Sequence, residues 1–151
     1  MGAEERLAEL GIELPEAPPS AGNYVGAVRS GNLVFLSGSG PWGPDTMVQG
    51  KVDAQISVEE AQQAARLTGL NLLATLRAEI GSLDRVRRVV KALGMVNCSP
   101  GFNRMPEVIN GFSDLMVEVF GDAGRHARSA VGMAELPFDI PVEIELIVEV
   151  E

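Results

Sequence analysis

Histidine, tyrosine, tryptophan and cysteine each occur once in the 151 residues, and aromatics make up only 5% of the chain. With Cys98 alone, no intrachain disulfide can form, which fits a reducing compartment. With His126 alone and no cysteine cluster, a zinc site has no ligand set. Cys98 has no base in a recognisable pattern beside it, so a buried structural thiol is the simpler reading than a nucleophile. Positive charge is also scarce, with 12 Lys and Arg against 21 Asp and Glu for a net charge of −9. That balance opposes nonspecific binding to phosphate backbones, so nucleic acid is not the expected partner.

No stretch approaches the roughly 20 apolar residues of a membrane-spanning helix. The opening MGAEERLAELG is acidic where a secretory leader would be basic, so a cytoplasmic protein is expected. Two catalytic motifs are missing as well. Ser37 lacks the leading glycine of a nucleophile elbow. The loop SGSGP (Ser37 to Pro41) lacks the lysine of a phosphate-binding loop, although its amides suit an anion or a plain turn.

What remains is an ordinary globular mix, with 46% hydrophobic and 22% charged residues. The length fits one core-bearing domain. Glu4 to Leu10 is a short amphipathic helix candidate stopped by Gly11. Leu14 to Gly22 is too rich in proline to continue it. Residues 1 to 21 are therefore expected to be an N-terminal extension, and residues 22 to 151 the domain. Strands are predicted over Tyr24 to Arg29 and Leu33 to Ser37, joined by the hairpin turn Ser30-Gly31-Asn32, with a third around Met47 to Val52. Ser57 and Glu60 form a capping-box pattern opening a helix from Val58 to Ile80. Its packed face is Val58, Ala61, Ala65, Thr68, Leu72, Leu76 and Ile80, widened by Ala64, Leu67 and Leu70.

A strand from Val86 to Val96 follows, then a helix from about Pro106 with the stripe Val108, Ile109, Phe112, Leu115, Met116, Val119 and Phe120. Two strands, Ser129 to Leu136 and Val142 to Val150, close the chain. The last places Val142, Ile144, Leu146, Val148 and Val150 on one side, with Glu143, Glu145, Ile147 and Glu149 on the other. The order ββ(β)αβαββ predicts an α+β fold, a mixed sheet with both helices on one face. Nothing in a chain of this size is left to cover the other face, so oligomerisation is expected.

Among candidate site residues, Arg128 and Glu143 stand out, each near the start of a C-terminal strand. A guanidinium in a cleft matches a carboxylate, and a glutamate can activate water against a C=N carbon. Equally, Arg128 can be a strand-edge charge and Glu143 part of a solvated acidic face, and spacing alone favours this plainer reading. The two need not meet within one subunit, but could converge across a subunit boundary. Arg125 and His126 lie in a glycine-bounded loop, where a structural hydrogen bond is the common role for a histidine.

The blocks GNYVGAVRSGNLVFLSG, VEEAQQAARLTGLNLLATL, VINGFSDLMVEVFGDAGRHARSAVGMAELP and VEIELIVEV together resemble the RidA/YjgF superfamily from Gly22 onward. Their wording is similar to a branch carrying the older L-PSP endoribonuclease label. The resemblance implies a chorismate-mutase-like fold of the bacillus type, with a six-stranded mixed sheet, two helices on one face, and a homotrimer with clefts between subunits. It implies hydrolytic deamination of reactive enamine or imine intermediates of the 2-aminoacrylate kind, giving ammonia and a keto acid. Arg128 would bind the substrate carboxylate and Glu143 position the water, with Tyr24, Ser37, Gly38 and Asn110 binding substrate and no metal or organic cofactor required. On this basis the functional reading of Arg128 and Glu143 overtakes the plain one.

Three departures stand against the deaminase pattern: Ser39 where glutamine is common, Ala130 where cysteine is, and a long Asn97 to Met105 loop. They leave room for a non-catalytic keto-acid-binding or regulatory protein. A ribonuclease is a weaker alternative, opposed by the acidic balance and the lack of a histidine pair.

Overall fold

The computed structural model describes residues 1–151. Five strands form one sheet in the order β1-β2-β5-β3-β4, where β1 is Ala27–Ser30, β2 Leu33–Ser39, β3 Val86–Asn97, β4 Ala127–Met133 and β5 Val142–Val150. Every neighbouring pair is antiparallel except β3 and β4, which run parallel, so the sheet is mixed as expected. The sixth strand expected around Met47 to Val52 does not form. Only isolated bridges occur there, Trp42 with Met47 and Val52 with Ile56 and Cys98. Positive φ at Gly50 and Asp53 turns the backbone away before a ladder can start.

Two strand boundaries also move. Ladder pairing of the first strand begins at Ala27 because residues 21–24 bend, with the Tyr24 amide donating to the Gly22 carbonyl. The fourth starts two residues early and stops at Met133, after which Lys51 Nζ takes the Ala134 carbonyl as an acceptor.

The capping box closes as predicted, with the Glu60 amide 3.1 Å from Ser57 Oγ and the Ser57 amide 3.2 Å from Glu60 Oε1. It opens helix α2, Val58–Ile80. The predicted face is buried throughout, whereas Leu67 and Leu70 are only half-buried at its rim. Helix α3, Met105–Phe120, buries Val108, Ile109, Phe112, Leu115, Met116 and Val119. Helix α2 packs over β2 and β5, and α3 over β3 and β4. Between helices and sheet lie the inward side chains of β5 from Val142 to Val150, all fully or almost fully buried.

The N-terminal helix α1, Ala3–Glu9, docks on this layer through buried Leu7. The Glu4 carboxylate accepts Arg77 Nε and Nη2 at 3.0 and 2.7 Å and the Leu83 amide at 3.1 Å, tying α1 to the end of α2. A bidentate pair of this kind fixes direction as well as proximity.

The opposite sheet face carries no layer. Val28, Phe35 and Val131 stand exposed on it, beside half-buried Leu93, Met95, Glu143 and Ile147. No helix of the chain is long and apolar enough to cross a membrane.

The two long helices approach so closely that backbone meets backbone. A methyl group on Gly111 of α3 would collide with the Gln62 carbonyl of α2, and Gly69 of α2 faces Phe112 and Leu115 at 3.2 and 2.8 Å from where its Cβ would lie. Gly111→Ala should therefore force the helices apart and lower stability by about 1–3 kcal/mol. Thermal denaturation followed by circular dichroism checks this; an unchanged midpoint would contradict such a tight crossing.

Candidate active site

The first group of candidate residues gathers around an irregularity in β2. Leu36 pairs with Leu146 and Ser39 with Ile144, so Ser37 and Gly38 together oppose the single residue Glu145. This is a β-bulge, a device that breaks the pleat and re-aims nearby side chains. The Glu143 carboxylate lies against the exposed backbone of Gly38, in the space a Cβ would need. A side chain at position 38 would have to push that carboxylate aside.

Glu143 is half-buried and has neither a hydrogen-bond donor nor a cationic partner within the chain. Burial first, and the charge of neighbouring Glu145 second, raise its pKa above the ordinary carboxylate value. Both causes act on the ionised form, which loses solvation and meets a like charge.

Tyr24 and Ser37 share a cavity of about 50 Å³ with Gly38, Ser39 and Trp42, closed by the proline-rich segment at Pro18 and Pro19. That volume suits one or two water molecules. Ser37 Oγ donates to the Val25 carbonyl at 2.6 Å. The half-exposed Tyr24 hydroxyl accepts the Ala21 amide at 3.3 Å. Ser39 Oγ is buried with no partner at all. Trp42 meets Phe138 edge-on, with ring centroids 5.9 Å apart and planes at 78°.

The second group lies at the far edge of the sheet. Arg128 stands level with buried Ala92 of β3, on the face that the helices cover. Its Nη1 donates to Ser113 Oγ at 3.0 Å and its Nη2 to the Pro106 carbonyl at 3.3 Å, both on α3. No carboxylate pairs with it. Asn110 is exposed, four residues after Pro106 and three before Ser113. That spacing puts it on the same helix face as the two groups that hold Arg128.

Within one chain the groups stay apart. Glu143 belongs to the uncovered sheet face and Arg128 to the helix face. Between β5, which carries Glu143, and β4, which carries Arg128, lies β3, a separation of roughly 10 Å at the usual strand spacing. The structure therefore sets Glu143 against Gly38, places Tyr24 and Ser37 with Gly38 around a cavity that Leu72 and Thr75 of α2 also line, and separately puts Arg128 on the side of α3 that carries Asn110. Ser113 carries no motif in the sequence, where the spacing Pro106, Asn110, Ser113 along one helix is the available clue, while His126 makes the structural hydrogen bonds expected of it. Cys98 is half-buried and packs against the core, as a structural thiol does.

A mixed sheet backed by two helices, with an arginine free of any carboxylate at one edge and an unpartnered glutamate on its bare face, defines a chorismate-mutase-like α+β protein. The family model described as "YjgF/chorismate_mutase-like, putative endoribonuclease" matches residues 4–150, and the chain belongs to this YjgF/RidA family. It is 46% identical over 145 residues to protein TCP17 of Trypanosoma cruzi, covering 95% of this chain and 91% of that one. It is 36% identical over 140 residues to the 2-iminobutanoate/2-iminopropanoate deaminase of Dermatophagoides farinae, covering 93% and 95%. A crystal structure from Shewanella oneidensis MR-1, described as a "putative endoribonuclease", superposes with a TM-score of 0.95 at 32% identity, covering 99% of this chain and 100% of that one.

The raised pKa of Glu143 has a consequence for stability. Below its unfolded value the carboxyl is protonated in both states and burial is tolerated; as pH rises through the folded value, ionisation in the folded state costs stability. Glu143→Gln should therefore melt higher than wild type at pH 7 to 8, and the difference should vanish near pH 4. Melting curves across that range test it, and a variant less stable at neutral pH would contradict the environment described for Glu143.

Proposed function

We propose that this protein is a hydrolytic deaminase of small, carboxylate-bearing enamines and imines of the 2-aminoacrylate class, and that it works as a homotrimer. Each site would take Arg128 and Asn110 from one subunit and Tyr24, Ser37, Gly38 and Glu143 from its neighbour. The observation that carries this reading is Glu143, a half-buried carboxylate without a partner on a bare sheet face. The uncovered Val28, Phe35 and Val131 support subunit contact there. The relative named as an iminobutanoate and iminopropanoate deaminase supports the chemistry.

In the proposed reaction Arg128 pairs with the substrate carboxylate, and the Gly38 backbone at the bulge helps to orient it. The enamine enters as its imine tautomer. Glu143 removes a proton from water as the oxygen attacks the imine carbon, and the C=N π electrons pass to nitrogen, which takes up a proton. The carbinolamine then expels ammonia, Glu143 returning its proton to the leaving nitrogen, while the hydroxyl proton passes to solvent, replacing the one that nitrogen drew from solvent during the addition, and the C–O bond becomes the keto acid carbonyl. One water is consumed, and one ammonia and one keto acid are released. A carboxylate with a raised pKa is the stronger base for the first step.

Incubation with an imine generated in situ by an amino-acid oxidase should show ammonia released faster than by spontaneous hydrolysis. Arg128→Ala should lose this activity with the assembly intact by light scattering, and Glu143→Gln should lose on the order of 10²–10⁴-fold while still binding the keto acid. Activity should fall as pH drops through the raised pKa of Glu143, since the base must be ionised. Wild-type rates in Arg128→Ala would sink the assignment.

A second reading, a keto-acid-binding protein without turnover, draws on Ser39, whose buried hydroxyl lacks a partner. Keto-acid binding together with no acceleration of imine hydrolysis would favour it. RNA cleavage is opposed by the net charge of −9.

A further inference from the structure

Arg128 is held from behind by a chain of hydrogen bonds whose polarity can be deduced. His126 Nδ1 lies 2.7 Å from the Gly124 carbonyl oxygen, which can only accept, so Nδ1 carries a proton. Burial, and then the positive charge of Arg128, lower the His126 pKa against the opposing pull of the Gly124 bond. The ring is therefore neutral at pH 7, and its Nε2 is left as an acceptor. Ser113 Oγ sits 2.9 Å from that Nε2 and must donate its single proton to it. The lone pairs of Ser113 are then turned toward Arg128 Nη1, which donates at 3.0 Å.

The result runs one way, from Arg128 to Ser113 to His126 to the Gly124 carbonyl. Each step fixes the next. A serine hydroxyl without an acceptor rotates freely and can present its proton to a guanidinium; here the histidine removes that choice. The ring is itself fixed edge-on against buried Phe112, with centroids 5.6 Å apart and planes at 70°. Together with the Pro106 carbonyl on Nη2, this occupies one nitrogen face on each side of the fork and leaves further N–H donors for a ligand.

We infer that Ser113 and His126 are positioning residues that set the orientation of Arg128 for a planar carboxylate. This rests on the proposed role of Arg128 as the carboxylate-binding group. Neither residue touches the reacting atoms, so both should act on substrate binding and leave the proton transfers of Glu143 alone.

The test combines steady-state kinetics on an in situ generated imine with calorimetric titration of the assembled protein by pyruvate, an unreactive carboxylate. Ser113→Ala should raise KM and the pyruvate Kd about tenfold, the scale of one hydrogen bond to a charged group, with kcat within about twofold of wild type. Ser113→Thr, which keeps the hydroxyl, should restore both. His126→Phe preserves the ring packing on Phe112 but removes the acceptor, so it should reproduce the Ser113→Ala shift. The double variant should be no worse than either single, because both break one chain. Unchanged pyruvate affinity in Ser113→Ala, or loss of kcat at constant KM, would overturn the inference. Should Arg128→Ala itself bind pyruvate normally, the functional reading fails first and the positioning role goes with it.

Discussion

The two-sidedness of β5 is the constraint on which the rest of this molecule depends. As the middle strand it pairs with β2 on one side and β3 on the other, so any change in its register moves the whole sheet. Its inward residues from Val142 to Val150 fill the core beneath the helices. The alternate positions hold Glu143, Glu145, Ile147 and Glu149 on the opposite face. A one-residue slip would put three carboxylates into the core, which is why this register is strongly specified. The same alternation delivers Glu143 to Gly38.

That placement still needs the bulge. Without the extra residue at Ser37-Gly38, the strand would carry on its regular pleat past Glu143, and a side chain at position 38 would contest the space. The cost of removing a carboxylate from water is met here without a cation, in contrast to Glu4, which has Arg77 and a backbone amide. A half-buried acid left unpaired, in a chain that pairs another, argues that it is kept for something other than stability.

Much of this was legible in the sequence wherever a local rule governs it. The Ser57 cap, the α2 face, the start of α3 at proline and the alternation of β5 all follow from periodicity and capping chemistry, and each was found. The strand expected around Met47 to Val52 does not form, because β-propensity there says nothing of the positive φ at Gly50 and Asp53. The boundaries of β4 depend on which residues of β3 it meets, a tertiary fact. The meeting of Glu143 with Gly38, and of Tyr24 with Ser37 around one cavity, follows from strand order and a bulge, neither of which spacing encodes. Arg128 and His126 sit two residues apart, yet their link runs through Ser113 on a different element, so no linear pattern shows it.

The single tryptophan and the single tyrosine both line the small cavity at the bulge. Trp42 and Tyr24 are therefore a built-in optical pair: every indole and phenol chromophore in the chain reports from one place. Near-ultraviolet absorbance, fluorescence and circular dichroism are blind to the rest of the chain in those two bands. Occupancy of this corner by a small molecule thus has a label already installed, with no dye, tag or isotopic substitution to disturb what is being watched.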